Sequence, residues 1–294
     1  MSCQHGLLLL DKPAGLTSNA ALQRAKRLLG IKKAGHTGSL DPIATGLLVL
    51  LFGEATKVSD YILNADKSYR ATLRLGQTTT TGDSEGKILE ERPVTVSAER
   101  VRAVLPQFLG EIAQIPPMYS AIKQGGKPLY ELARKGLEVE RAARRVRIDA
   151  LDLISLDGDR LVLDVRCSKG TYIRSLAVDI GAALGCGAHV EGLRRTSTGP
   201  FDIAQALTLG ELAEVLGRGE CPLKAMDLAL EYLPAVTLTE NTAYYLRQGQ
   251  GVVVAHAPSS LGRIRLYGPG EQFLGLGEVM DDGKVAPRRL MSVN

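Results

Sequence analysis

Asp41 stands in GHTGSLDPIATGLLVL, residues 35–50, between a glycine-bearing turn and one of the most apolar runs of the chain. A carboxylate beside a buried strand needs a partner or a purpose. A single carboxylate can act as a nucleophile or a base only while it is ionised. Burial works against ionisation and a neighbouring guanidinium restores it. No arginine lies close in sequence, so the partner must come from elsewhere; Arg174, in GTYIR at a turn-to-helix junction, is the candidate. The paired carboxylates of ordinary glycosidases are not visible locally, since the nearest following acid is Glu54. The plainer reading of Asp41 is a turn-former, because Leu-Asp-Pro favours a turn whose Asp bonds nearby backbone.

Other groups have two readings each. Aromatics make up only 4% of the chain and Trp is absent, so Tyr69, in KSYR, has few competitors for an aromatic role. Its plainer role is a strand aromatic hydrogen-bonded at its tip. His36 invites assignment as a base, or is a turn residue bonded to backbone. Lys12 supports a loop, contacts phosphate or is solvated. Asp83, in the polar loop QTTTTGDSEG, either lies near the site or, on the safer reading, is an exposed turn. The four cysteines, Cys3, Cys167, Cys186 and Cys221, have no Cys-x-x-Cys spacing. Cys186 and His189 are too few ligands for zinc, so no metal is expected. Scattered, free thiols fit a reducing cytosol.

These residues must be held by elements that the sequence outlines. An apolar first strand over 6–10 has no basic segment before it and is too short for a signal peptide. Ser18 reads as the N-cap of a helix that ends at Gly30. Alternation from Tyr69 predicts a half-buried strand, as it does over 161–166. Ser97 caps a helix that Pro106 shortens, and Thr208 with Glu211 form a capping box. Over 115–147, turn signals precede a short helix from Pro128 to Gly136. Within 123–147 lie eight Lys or Arg against three Glu, an excess above the whole chain's net charge of +4. That run is either a solvated face or an electropositive arm for a phosphate backbone. After Leu233, GVVVAHA, GRIRLYG and EQFLGLGEV alternate between Gly and Pro breaks, which predicts a small β-barrel near the lower size limit of a domain. No stretch approaches the roughly 20 apolar residues of a membrane span.

The motif around Asp41 resembles the catalytic motif of the TruB family, the bacterial tRNA pseudouridine-55 synthases. LDKPAG (10–15), KSYR (67–70), PPMYSAIK (116–123), GTYIR (170–174) and LRRT (193–196) resemble that family's other motifs, in its order and at similar separations. The resemblance implies an α/β (α+β) fold with a mixed, mainly antiparallel sheet flanked by helices. It implies a catalytic domain over 1–232 with an RNA-binding insertion arm at about 115–147, and a PUA-like barrel over 233–294. The implied reaction is isomerisation of a uridine in the T-arm loop of tRNA, without cofactor or metal. Asp41 would be the nucleophile and Arg174 would keep it charged. Tyr69 would stack on the flipped uracil and assist late proton transfer. His36 would help hold the base out of its stack, Leu193 would be an apolar pocket wall, and Tyr172 and Lys12 would contact substrate. Core packing for Leu193 and support beneath the site for Tyr172 stay open. Expected partners are tRNA alone, with a monomeric, cytoplasmic enzyme and no obligate protein partner. Two rivals stand: an RNA-folding factor whose catalysis is dispensable, and a guide-RNA-dependent relative working inside a larger particle.

Overall fold

The computed structural model describes residues 3–292 except 121, 134, 135, 138, 256, 259 and 260. Its centre is built from two strands buried on both faces, β1 (Gly6–Lys12) and β3 (Thr45–Phe52). They pair antiparallel, Leu8 facing Leu50 and Leu10 facing Leu48. Their even-numbered leucines enter one apolar cluster, and Leu7, Leu9, Leu47, Val49 and Leu51 enter another on the opposite face. A strand covered on both sides needs apolar side chains at every position, which is why these runs do not alternate.

Around them stand the three-residue β2 (Ala34–His36), β4 (Lys67–Leu75), β5 (Gly110–Gln114), β6 (Arg144–Asp157), β7 (Arg160–Cys167) and β8 (Ala188–Thr198). Among the described residues these strands form one sheet, ordered β1-β3-β8-β4-β7-β6-β5, with β2 on β3 and Phe201–Asp202 on β8. Every pairing in it is antiparallel except β3 with β8, where Arg194 faces Thr45 and Arg195 faces Gly46. β4 alternates as its sequence predicts, burying Tyr69, Ala71, Leu73 and Leu75. Helices α1 (Ser18–Leu29) and α2 (Ile173–Leu184) send Ala21, Leu22, Ala25, Leu176 and Ile180 into the first cluster. The sheet flanked by helices is the expected fold class.

Local expectations met mixed outcomes. The Ser97 cap and the Thr208–Glu211 capping box form, and Gly30 closes α1 in the left-handed conformation. The N-cap of α1 is Thr17, which accepts from Ala20 N, and not Ser18. Ser18 is buried and exchanges hydrogen bonds with Leu40: its Oγ accepts from Leu40 N at 2.7 Å and lies 3.2 Å from Leu40 O. Cys3 and Cys221 are not free thiols but form a disulfide. It ties the entrance of β1 to the segment in which Lys224 bridges Leu7. Two of the four cysteines therefore give no support to a reducing compartment.

The arm leaves the sheet at Gln114 and returns at Arg144, which are paired neighbours on β5 and β6. It carries a short two-stranded hairpin and the helix Leu129–Ala133, within the expected span between Pro128 and Gly136. Arg134 and Lys135 of the basic run lie outside the described residues. Arg144, Arg145 and Arg147 belong to β6, so the arm proper ends before them. The tail forms an open four-stranded sheet, β9 (Ala235–Thr237), β10 (Gly262–Tyr267), β11 (Phe273–Val279) and β12 (Val285–Leu290), in that spatial order. Closure into a barrel is not seen among the described residues, and of GVVVAHA only Val252 pairs, in a single bridge to Val285. Leu276 and Met291 of the tail enter the second cluster beneath the main sheet. Among the described residues no helix is long and apolar enough to cross a membrane.

Candidate active site

The loop between β2 and β3 presents Asp41, and each of its parts is tied to a different element. Thr37 N donates to Val49 O at 3.1 Å, Leu40 is held by Ser18 of α1, and Gly15 N donates to Pro42 O at 2.8 Å. Lys12, at the end of β1, is fully buried and donates to Pro13 O, Leu16 O and Pro42 O. Arg195, on β8 and 1% exposed, donates to Leu47 O at 2.7 Å and Gly38 O at 3.1 Å. The crossing of β3 and β8 is tight: a Cβ at Gly46, whose φ is +99°, would stand 2.3 Å from Arg195 O. Glycine is required there on both counts. Beside it Arg194 grips Asp11 with two donors, at 2.7 and 3.1 Å, joining β8 to β1.

The turn at Asp41 is made by backbone, Ala44 N donating to Asp41 O at 3.0 Å. Its side chain is left to reach Arg174, whose Nε lies 3.0 Å from Asp41 Oδ2. The two residues are 133 positions apart in sequence and meet because α2 begins directly above the loop. Arg174 is itself held from three sides. It donates to Tyr119 O at 2.7 Å and Thr81 O at 3.3 Å, and its Nη1 lies 3.5 Å from Asp83 Oδ2. Asp83 is therefore no exposed turn: it is 2% exposed, accepts from Thr81 Oγ1 and Glu85 N, and sits in the site. Its sequence signal was weak because an Asp in a Gly-rich polar loop is ordinarily a solvated turn.

Burial pushes the Asp41 carboxyl above its ordinary value. Arg174 opposes this, Asp83 adds to it, and Lys12 opposes it again. The guanidinium thus restores ionisation only in part, while the side chain keeps 40% of its surface open for a substrate. The Lys12 ammonium is pulled down to about 8, by burial against the attraction of Asp41. It remains charged at neutral pH, but it faces backbone carbonyls and not solvent.

Tyr69 faces Arg195 across the β4–β8 ladder and is 8% exposed. Burial raises its phenol, with the Arg195 guanidinium opposing, so the hydroxyl stays protonated. Leu193, two residues before Arg195, is half-buried against the first apolar cluster, and its carbonyl lies 3.5 Å from Thr45 Oγ1. Burial lowers His36, and Arg195 lowers it further, so the ring is neutral at physiological pH. Its Nδ1 is buried with no hydrogen-bond partner among the described residues. Tyr172 caps α2, and its backbone N–H and C=O are both held by the Gln114 side-chain amide, at 2.7 and 3.0 Å. Asp41, Arg174 and Tyr69 thus converge with Asp83 and Arg195, and Lys12 lies beneath them. Among the described residues no group of His, Cys, Asp or Glu side chains could hold a metal ion.

Three family descriptions match consecutive stretches of the chain from 26 to 291. Residues 26–173 match the N-terminal domain of TruB family pseudouridylate synthase. Residues 174–233 match the tRNA pseudouridylate synthase B C-terminal domain, and 234–291 match Pseudouridine synthase II TruB, C-terminal. The chain is 54% identical over 291 residues to tRNA pseudouridine synthase B of Stutzerimonas stutzeri (strain A1501), covering 97% of this chain and 95% of that one. It is equally similar, at 54% and the same coverage, to the protein of that name from Ectopseudomonas mendocina (strain ymp). Among solved structures it resembles a chain of an H/ACA RNP bound to a substrate RNA containing 2'-deoxyuridine, with TM-score 0.76, 26% identity, and coverage of 100% and 87%. It also resembles a chain of the archaeal box H/ACA sRNP Nop10-Cbf5 complex, with TM-score 0.72, 26% identity, and coverage of 99% and 86%. With matched domains spanning most of its length and relatives at such identity, this chain belongs to the TruB family of pseudouridine synthases.

Proposed function

We propose that the protein isomerises a uridine in the T-arm loop of tRNA to pseudouridine, with Asp41 as the reacting group. The observation that carries this is the Asp41–Arg174 pair at 3.0 Å, with Asp41 still partly open, in a chain of this family. The reaction breaks the bond from ribose C1′ to uracil N1 and forms one from C1′ to C5. N1 gains a proton and C5 loses one, so the product has the atoms of the substrate and no electrons are exchanged. No redox partner is therefore called for.

Asp41 begins the step as a carboxylate, which Arg174 and Lys12 favour electrostatically. The target base must leave its stack, at a cost of a few kcal/mol. The ring of Tyr69 offers a face for the extruded uracil, and its protonated hydroxyl serves late proton transfer. Leu193 supplies apolar wall, and the neutral His36 packs into the loop and helps hold the extruded base without bringing charge to it. Lys12 acts by fixing Pro42 and not by touching a phosphate. The arm, rooted where Tyr119 O accepts from Arg174, grips the backbone of the T-arm and links that grip to the site. Residues 1–232 serve as the catalytic part and 233–294 as an RNA-binding part. The protein works as a monomer in the cytoplasm, where its substrate is made.

The structural neighbours come from particles that contain other proteins, which keeps a partner-dependent reading in view. One experiment separates the two. Purified protein is incubated with unmodified tRNA transcript, and pseudouridine is mapped by carbodiimide labelling and primer extension. A single new stop in the T-arm with wild type, and none with Asp41→Asn, supports stand-alone synthesis. Binding without a stop from either protein would move the lead to a partner-dependent or folding role.

A further inference from the structure

A cleft of about 450 Å³ opens where the tail meets the main sheet. From the main part it is lined by Lys57, Asp60, Tyr61 and Asn64, and from the tail side by Tyr232, Arg263 and Arg289. The two sides are fixed to each other: Lys57 Nζ donates to Leu290 O at 2.8 Å, and Arg289 Nη1 donates to Lys57 O at 3.4 Å. Glu54, beneath, accepts from Ser292 N at 2.7 Å. The cleft is therefore a built feature and not a gap between loosely hinged parts.

Its chemistry is uneven in a telling way. Tyr232 is 67% exposed and stands at the mouth of the cleft. Tyr61 is near enough to act on its phenol, yet the two rings make no stacking contact with each other. Lys57, Arg263 and Arg289 line the cleft with Asp60; Lys57 is paired with Glu54 beneath, while Arg289 is exposed with no carboxylate partner among the described residues. Arg263 has only a 3.6 Å contact to Glu278, in solvent. An exposed aromatic face beside a guanidinium group with no carboxylate partner is what binds an unpaired nucleotide: the base stacks and the phosphate is neutralised. The cleft also adjoins the active-site side. Asn64 Oδ1 accepts from Lys169 Nζ at 2.7 Å, in the turn that leads to Arg174, and the chain from Asn64 runs directly into the strand of Tyr69.

We propose that this junction cleft is a second RNA site, which takes an unpaired nucleotide of the substrate outside the isomerised loop, its base on Tyr232 and Tyr61 and its phosphate on Arg289 and Arg263. The proposal rests on the reading of the protein as an enzyme acting on tRNA. The test compares wild type with Tyr232→Ala and Arg289→Ala on two RNAs, full-length transcript and the isolated T-arm stem-loop. Both side chains are exposed, so the variants should fold, which thermal melting checks. The expected result is a Kd for full-length tRNA raised about ten-fold or more, with stem-loop binding and turnover unchanged. Arg289→Ala should also reduce the salt slope for full-length tRNA by about one. A full-length Kd within two-fold of wild type for both variants would overturn the site, as would equal losses on the two RNAs. Failure of the catalytic reading is seen separately, as absence of pseudouridine from wild type on either RNA.

Discussion

At the scale of single residues, the site is an arrangement of charges around one open carboxylate. Asp41→Asn removes the proposed reacting group and keeps the shape, so turnover should fall by at least about 10³-fold while tRNA binding persists. Comparison of single-turnover rates with filter-binding constants checks this. Asp83 acts on Asp41 both directly and through Arg174. Its negative charge raises the Asp41 carboxyl, so Asp83→Asn should lower it. The acid limb of the pH–rate profile should therefore move to lower pH than in wild type. Turnover should fall as well, because Arg174 loses a holder. A limb that stays in place would show that the carboxylate titrated in that limb is not Asp41.

At the scale of elements, the crossing of β3 and β8 decides whether the loop can form at all. Arg195 spends a buried guanidinium on two carbonyls of the loop and strand, and Gly46 makes the room for it. Gly46→Ala should destabilise the fold by about 2 kcal/mol or more, since the new Cβ meets backbone that has no freedom to retreat. Denaturant unfolding measures it. The disulfide works on the first strand from outside. Cys3→Ser should lower stability by about 2 kcal/mol under oxidising conditions, and a reducing agent should bring wild type down to the variant. Equal melting temperatures without reductant would show that the bond does not brace β1.

At the scale of the whole molecule, the tail is held to the catalytic part through Glu54. Burial would raise this carboxyl, but Lys57, the Ser292 N–H and Lys33 hold it down at about 2. A folded value below the ordinary 4.5 means stability that is fully present above 4.5 and is lost as pH falls toward 2. Glu54→Gln should therefore lower the melting temperature at neutral pH and flatten its fall in that acid window. Calorimetry at several pH values gives the comparison; an unaltered acid slope would mean that the junction draws nothing from this group. The same junction walls the proposed nucleotide cleft, so Glu54→Gln should also weaken full-length tRNA binding more than stem-loop binding.

The sequence by itself determined the apolar strands, the alternation of β4, three of the caps and the order of motifs that marks the family, because each depends on neighbours a few residues apart. Asp41 and Arg174 could be paired in advance by the chemical need of a buried carboxylate for a cation and by the family resemblance, but not by spacing. What tertiary structure alone decided was which polar groups are buried and whom they meet. Asp83 read more safely as an exposed turn and Lys12 had three open roles, because turns and lysines are ordinarily solvated; folding sets Asp83 against Arg174 and chooses loop support for Lys12, against Pro42 O. Arg195 stood within a motif without a role until β8 laid it against β3. Cys3 and Cys221 are 218 positions apart, and no spacing rule joins them. Such contacts are long-range: their energy depends on burial and direction, which local sequence does not carry.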